Sequence, residues 1–248
     1  MMFIMRFRTL CLLFVLSLSV QAQVLSDKTT QVLVGMAEDW NSSHATLSLY
    51  EKKGGEWKQV GKSWPSRLGK KGMAWGRGIH PLPKVAKGEV LKKEGDWKSP
   101  AGAFAIGGVW GYDRSIKKHR SLAYTRITSR HLWVEDAESK HYNRQVVLKH
   151  EPKTEWEKKA QMRQNDPAHA LKMFIAHNAP PNVVKGGGSS IFFHIWRDNG
   201  GRPTAGCTVM SEDKLRDLIA RIDPDKRPVY VLLTKADYAR YRKAWGLP

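Results

Sequence analysis

Short segments in which apolar residues alternate with polar ones, or run together, recur along the chain and indicate β-strands. Residues 31–37 and 45–50 show this most clearly, and the second segment alternates as a half-buried strand does. Gly54 and Gly55 separate it from a further segment, which predicts a hairpin. Residues 64–100 are rich in Gly, Pro and Lys, so we expect loops and short strands there.

Strand-like and helix-like segments are mixed in the second half of the chain. Residues 102–112 predict a short apolar strand that ends in glycines, 131–146 a mixed segment that ends in a strand, and 229–233 a buried strand. In residues 153–177 helix formers outnumber β-branched residues, and Pro167 divides the segment. We therefore expect one or two helices there, forming a cap or insertion.

The clearest helical pattern follows residue 210. Ser211 suits an N-cap, acids occupy the first turn, and Pro224 ends the segment. Apolar residues recur at helical spacing between these limits, at Leu215, Leu218, Ile219 and Ile222. The whole pattern predicts a mainly β domain with α insertions (α+β) over residues 31–235, with a packed C-terminal helix and a tail at 236–248.

The N-terminal segment has the features of an export signal. Arg6 and Arg8 give it a basic start, and the apolar residues 10–20 are too few to span a membrane. The sequence VQA that follows suits signal peptidase, so we expect residues 1–22 to be removed by cleavage before Gln23. An uncleaved N-terminal anchor is the alternative. No other segment is long and apolar enough to predict a membrane span.

The chain is strongly basic, with 42 Lys and Arg against 23 acids and a formal net charge of +19. Nucleic acid is a poor partner for an exported protein, whereas an anionic polymer of the cell envelope suits a basic surface. We therefore expect a periplasmic or wall-associated protein, although the charge is also compatible with simple solubility.

Cysteine usage points to chemistry at one position. Cys11 lies in the predicted signal, so Cys207 is the single cysteine of the exported part. Cysteines in an oxidising compartment are usually paired or absent. An unpaired thiol there is either buried and inert or used in a reaction.

A turn-rich sequence, RDNGGRP, separates two strand-like segments that carry His194 and Cys207. A hairpin symmetric about the Gly200–Gly201 bond would place these two residues directly opposite each other. The imidazole could then lower the thiol pKa and return a proton to a leaving amine. The alternative is a hydrogen-bonded core histidine beside an inert thiol, and a one-residue slip would separate the side chains.

The same hairpin predicts further site residues. The backbone N–H groups of Ala205, Gly206 and Cys207 are candidate oxyanion donors. Trp196 and Phe192 share the face of His194 and are candidate walls of a substrate groove, although core packing also explains Phe192. Other candidate substrate-binding residues are Ser190, Arg202 and Thr204.

At these residues the chain resembles the L,D-transpeptidase (YkuD) family. The matching positions are His194, Thr204, Gly206 and Cys207, and upstream Gly95, Ser99, Pro100, Gly102 and Phe104. The resemblance implies a YkuD-like β-sandwich or barrel whose cysteine attacks the L→D peptide bond after diaminopimelate in a peptidoglycan (murein) stem peptide. D-Alanine leaves, and the acyl group passes to an amine, which a second stem or an envelope protein could supply.

The chain departs from the family pattern at three positions. Ala205 and Val209 replace a histidine and an arginine that flank the cysteine, and Ile195 replaces a glycine. We hypothesise that the Trp196 indole fills the space of the missing imidazole. A backbone carbonyl, as the family suggests, Asp198 or Ser190 could orient His194.

Other functions stay open. A peptidoglycan amidase or hydrolase would use the same Cys–His pair with water as acceptor, and some relatives with reduced motifs act in this way. A non-catalytic wall-binding module would explain the ten tryptophans and the basic charge. The histidines lack metal-ligand spacing, so we expect no metal and no cofactor.

Overall fold

The computed structural model describes residues 23–83, 85 and 89–248, and the predicted signal, residues 1–22, lies outside them. The strands of the described chain are β1 Gln31–Ala37, β2 His44–Lys53, β3 Glu56–Arg67, β4 Met73–Trp75, β5 Ser99–Gly111, β6 Tyr124–Arg126, β7 His131–Trp133, β8 Gln145–Val147, β9 Leu171–Ile175, β10 Phe192–Ile195, β11 Thr208–Met210 and β12 Val229–Thr234. The α-helices are α1 Glu155–Lys159, α2 Glu212–Arg221 and α3 Lys235–Trp245, and single 3-10 turns lie at Pro167–His169, Asp198–Gly200 and Pro224–Lys226.

Eight strands close into a barrel in the order β12, β1, β2, β3, β11, β10, β9, β5. Closure occurs at β5, whose residues 102–105 pair with β12 and whose residues 106–111 pair with β9. β4 and β6 pair along β5, and β7 with β8 forms a separate two-stranded sheet. Closure pairs the barrel strands on both sides and removes exposed edges. The predicted mainly β class with a barrel or sandwich and packed helices is confirmed.

The strongest local patterns give the predicted elements. β1 has the predicted limits, and Gly54 and Gly55 join β2 to β3 in a hairpin. Both glycines have a positive φ, 62° and 85°, a region that other residues enter at a cost. α2 follows Ser211 and buries its apolar stripe against the barrel, although the Ser211 side chain makes no capping hydrogen bond.

Two helix assignments differ from the prediction. The only helical structure in residues 153–177 is α1 and one 3-10 turn. Residues 171–175 instead form the fully buried strand β9. β9 hydrogen-bonds with β10 and β5 on its two sides, and this sheet context overrides the helix propensity of Leu, Lys and Met. The residues predicted as a tail, 236–248, lie largely in α3, which Thr234 caps and which packs on the barrel.

Side chains on β9 and β10 alternate between two cores. Met173 and Phe193 point into the barrel. Phe174 and Phe192 point outward and join Trp133 of β7 in a second cluster. The segment between β5 and β9 thus covers the outer face of this part of the barrel, and the candidate site lies on that face.

Candidate active site

β10 and β11 run parallel, so the predicted hairpin is wrong. His194 lies in β10, and Cys207 directly precedes β11. His194 pairs with Val209 of β11 and, on its other side, with Lys172 of β9. Before it enters β11, the chain runs alongside the segment that follows β3, and the Thr204 N–H donates to the Leu68 carbonyl at 2.8 Å. This detour lets β11 enter the sheet in the same direction as β10.

Parallel pairing nevertheless brings the two residues to one face. Side chains in a strand alternate with a period of two, so Cys207, two residues before Val209, shares the face of His194. Both residues line one cavity of about 350 Å³.

Cys207 is half-buried as a residue, and its thiol is hydrogen-bonded to the backbone of residues 190 and 192. The Phe192 N–H donates to Sγ at 3.4 Å, and the S–H donates to the Ser190 carbonyl at 3.5 Å. Burial raises the pKa of Cys207 to about 11, against the opposing effects of the Phe192 N–H and of the Lys172 charge. The thiol is therefore protonated near neutral pH and needs a base to become a nucleophile.

His194 is a buried, neutral base. Its Nδ1 lies 2.9 Å from the Ile195 carbonyl, so Nδ1–H donates and Nε2 carries the lone pair, and the Ala168 backbone is a second hydrogen-bonding partner of the ring. Burial lowers the pKa of His194 to about 4, and the nearby Lys172 charge acts in the same direction. The orienting partner is thus a backbone carbonyl. Asp198, the side-chain alternative, instead forms an ion pair with Arg202.

A short turn fixes Cys207 through the side chain of Thr204. Thr204 Oγ1 accepts from the Gly206 N–H at 3.0 Å and donates to the Cys207 carbonyl at 2.7 Å. Gly206 has a φ of 149°, and a Cβ there would lie 2.9 Å from the Lys98 carbonyl oxygen. The Gly206 N–H is therefore already bonded and is not a free oxyanion donor. The Ala205 N–H has no partner among the described residues and stays a candidate.

The upstream segment that resembles the family packs against this turn. Ser99 is fully buried, and its Oγ accepts from the Gly69 N–H at 2.9 Å and donates to the Gly206 carbonyl at 2.8 Å. At Gly102 the φ is 131°, and a Cβ would lie 2.0 Å from the His80 ring. Ser99 thus links the two family-like segments through hydrogen bonds.

The other predicted binding residues separate into two groups. Ser190, Phe192 and Thr204 line the cavity with Ala205 and Cys207, whereas Trp196 and Arg202 are absent from its lining. Trp196 packs on Gly200, where a Cβ would lie 3.0 Å from the indole, and it is absent from the cavity lining that contains Ala205, so no contact supports the idea that it replaces the missing imidazole. Arg202 is largely exposed.

The residues of the cavity that the sequence did not predict include a histidine and a lysine beside His194. His169 stacks on His194 with ring centroids 4.6 Å apart, and burial lowers the pKa of His169 to about 2. Lys172 lies opposite His194 on β9. Both fall in the segment that was predicted as helix. The signal that could have found Lys172 is the single charge within the apolar run LKMFI.

A second cavity of about 250 Å³ adjoins the first at Cys207. The two share Cys207, Ser190 and Ala205, and also Trp97 and Glu135. The additional lining of the second cavity includes Lys92, Glu94 and Ser189. Cys207 therefore lies at the junction of two spaces that could hold two different groups.

A cysteine and a neutral histidine in one cavity on a mainly β barrel are the arrangement that a cysteine-dependent enzyme needs. The YkuD L,D-transpeptidase catalytic domain matches residues 40–231, and the chain belongs to this family. Members of this family are typically cysteine-dependent enzymes that modify peptidoglycan.

Among solved structures, the chain is similar to the helical cell shape determining protein Pgp2 from Campylobacter jejuni, at 14% identity and a TM-score of 0.36 over 83% of this chain and 48% of that one. A lysine-to-alanine mutant of Pgp2 gives 14% identity and a TM-score of 0.40 over 91% and 60%. The chain thus spans about half the length of the first. No curated protein matches. Among the described residues, no helix has the length and apolar character needed to cross a membrane.

Proposed function

We propose that the protein is an exported cysteine acyltransferase that acts on peptidoglycan stem peptides through a thioacyl-enzyme on Cys207. The observation that carries this proposal is the position of Cys207 and His194 on one face of neighbouring strands, in one cavity. Membership of the YkuD family supports the substrate class. Removal of residues 1–22 as a signal stays a prediction.

The first step generates the nucleophile. The Cys207 S–H leaves the Ser190 carbonyl by rotation of the side chain and gives its proton to His194 Nε2. As this proton moves, the sulfur attacks the carbonyl carbon of the scissile amide, and the Ala205 N–H is the candidate donor to the oxygen that becomes negative. Because the free thiol pKa is about 11 and the imidazole pKa is about 4, the ion pair forms only as the attack proceeds.

The following steps return the proton and the acyl group. The His194 imidazolium protonates the leaving amine as the C–N bond breaks, which leaves a thioester on Cys207 and releases an amine such as D-alanine. An acceptor amine then attacks the thioester, His194 takes its proton, and the C–S bond breaks. Water in place of the amine gives hydrolysis. The second cavity at Cys207 favours transfer, because it offers space for an acceptor.

Mass spectrometry of the intact protein tests the proposed intermediate. Incubation with a diaminopimelate-containing tetrapeptide stem is expected to add the acyl mass to the wild type and not to Cys207→Ala. Absence of an adduct, together with wall binding that Cys207→Ala retains, would favour a wall-binding module.

Muropeptide analysis separates transfer from hydrolysis. Cells that make the protein are expected to contain additional 3–3 cross-linked dimers compared with cells that make Cys207→Ala. Loss of existing amide links without new dimers would instead identify a hydrolase.

A further inference from the structure

Lys172 is a buried cation that the proposed acyl transfer does not use. Lys172 is only 4% exposed, and it lies on β9 directly across from His194. Its Nζ donates one hydrogen bond, to the Met162 carbonyl at 3.0 Å, and lies 5.7 Å from the centroid of the Phe192 ring, a cation–π contact. An ammonium has three N–H donors, so two remain for other partners. Lys172 also lines the cavity that contains Cys207.

No carboxylate in the described part of the chain lies within ion-pair distance of the Lys172 ammonium. Asp166 contributes to its electrostatic environment, but this carboxylate is bonded to the Arg197 guanidinium and to the Ala168 N–H. Glu135 also contributes, from an exposed position at the rim. A buried charge without a counter-ion is costly in a structural role, and a methionine would fill the same space without that cost.

The ammonium keeps its charge at neutral pH. Burial lowers the pKa of Lys172 to about 8, which is still above 7. Lys159 and Arg197 line the same cavity, so its surroundings are positive on balance. A cavity of this kind, of about 350 Å³ and lined by Lys172, suits a carboxylate on a peptide.

We propose that Lys172 forms a carboxylate-binding subsite beside Cys207 and binds the free C-terminal carboxylate of the donor peptide. The subsite rests on the proposed function, in which the residue that leaves carries this carboxylate a few bonds from the attacked carbonyl. Lys172 therefore selects donors in which the residue after the scissile bond is the last one, and disfavours donors that continue beyond it.

Calorimetry with two matched probes tests the subsite without turnover. The probes are the tetrapeptide L-Ala-γ-D-Glu-diaminopimelate-D-Ala and the same peptide with a C-terminal carboxamide, and the protein is the full chain with Cys207→Ser. The free acid is expected to bind about 10- to 100-fold more tightly, the range of a charge-assisted hydrogen bond. Adding Lys172→Met should remove this difference, whereas adding Lys117→Met, an exposed lysine outside the cavity, should keep it.

Three results would each overturn the subsite. The two probes bind Cys207→Ser with equal affinity, the preference for the free acid survives Lys172→Met, or Lys172→Met weakens the binding of both probes equally. If Lys172→Met does not fold, Lys172→Gln and the comparison of the two probes on Cys207→Ser still decide. Failure of the proposed function gives another pattern: the free acid binds selectively, yet the wild type acquires no acyl mass at Cys207.

Discussion

Ser99→Ala removes the hydroxyl that joins the cysteine turn to the rest of the fold. The buried Oγ accepts from the Gly69 N–H and donates to the Gly206 carbonyl, so the variant leaves one donor and one acceptor without that partner. Each unsatisfied buried group costs about 1–3 kcal/mol, so for two groups we expect a loss of about 2–6 kcal/mol in the free energy of unfolding. For a domain of this size the loss corresponds to a fall in Tm of roughly 4–24 °C.

Calorimetric or circular-dichroism melting measures this change, and the initial rate of acylation of Cys207 measures its effect on the site. We expect the rate to fall as well, because the Gly206 carbonyl that Ser99 holds belongs to the turn before Cys207. Ser115→Ala, at an exposed serine, is the matched control and should melt as the wild type does. A Ser99→Ala variant within about 0.5 kcal/mol of the wild type would refute the idea that this hydroxyl holds the turn.

Three further outcomes are expected. Gly206→Ala should lower the Tm and the acylation rate more than Gly54→Ala, because both have a positive φ but only Gly206 also meets a backbone oxygen; equal effects would contradict this reasoning. Since burial raises the pKa of Cys207 to about 11, the alkylation rate of the free protein by iodoacetamide should be low at pH 7 and rise towards pH 11, and a plateau reached by pH 8 would disagree. Burial lowers the pKa of His194 to about 4 and that of His169 to about 2. Between pH 6.5 and 4 the unfolded chain therefore binds more protons than the folded one, and the urea midpoint of unfolding should fall as the pH drops from 7 to 4.5. An unchanged midpoint would argue against buried, neutral rings.

Local sequence patterns predicted those elements in which residue propensity and packing in the fold favour the same secondary structure. In β1 a run of apolar residues is buried between two neighbouring strands, and in α2 the apolar stripe faces the barrel. β9 could not be predicted in this way. Its sequence LKMFI has helix-forming residues, and only pairing on both sides makes it a strand.

The sequence predicted that His194 and Cys207 lie in one site, but not the direction in which their strands pair. His194 and Cys207 share a face and a cavity, while the turn signal at Gly200 and Gly201 suggested an antiparallel pairing that the fold does not use. The detour of the chain past Leu68 is a long-range contact that no local pattern reveals. Lys172 reaches the cavity from a third strand, and the charge within LKMFI marks this residue without showing which site it joins.

The rate of D-alanine release from the tetrapeptide stem, measured for the wild type, Cys207→Ala, His194→Ala and the double variant, tests whether Cys207 and His194 form a catalytic pair. If Cys207 and His194 act as one unit, each single variant should lose about 10³-fold or more, and the double variant should be no slower than the single ones. Release by Cys207→Ala at a rate close to that of the wild type would contradict the account.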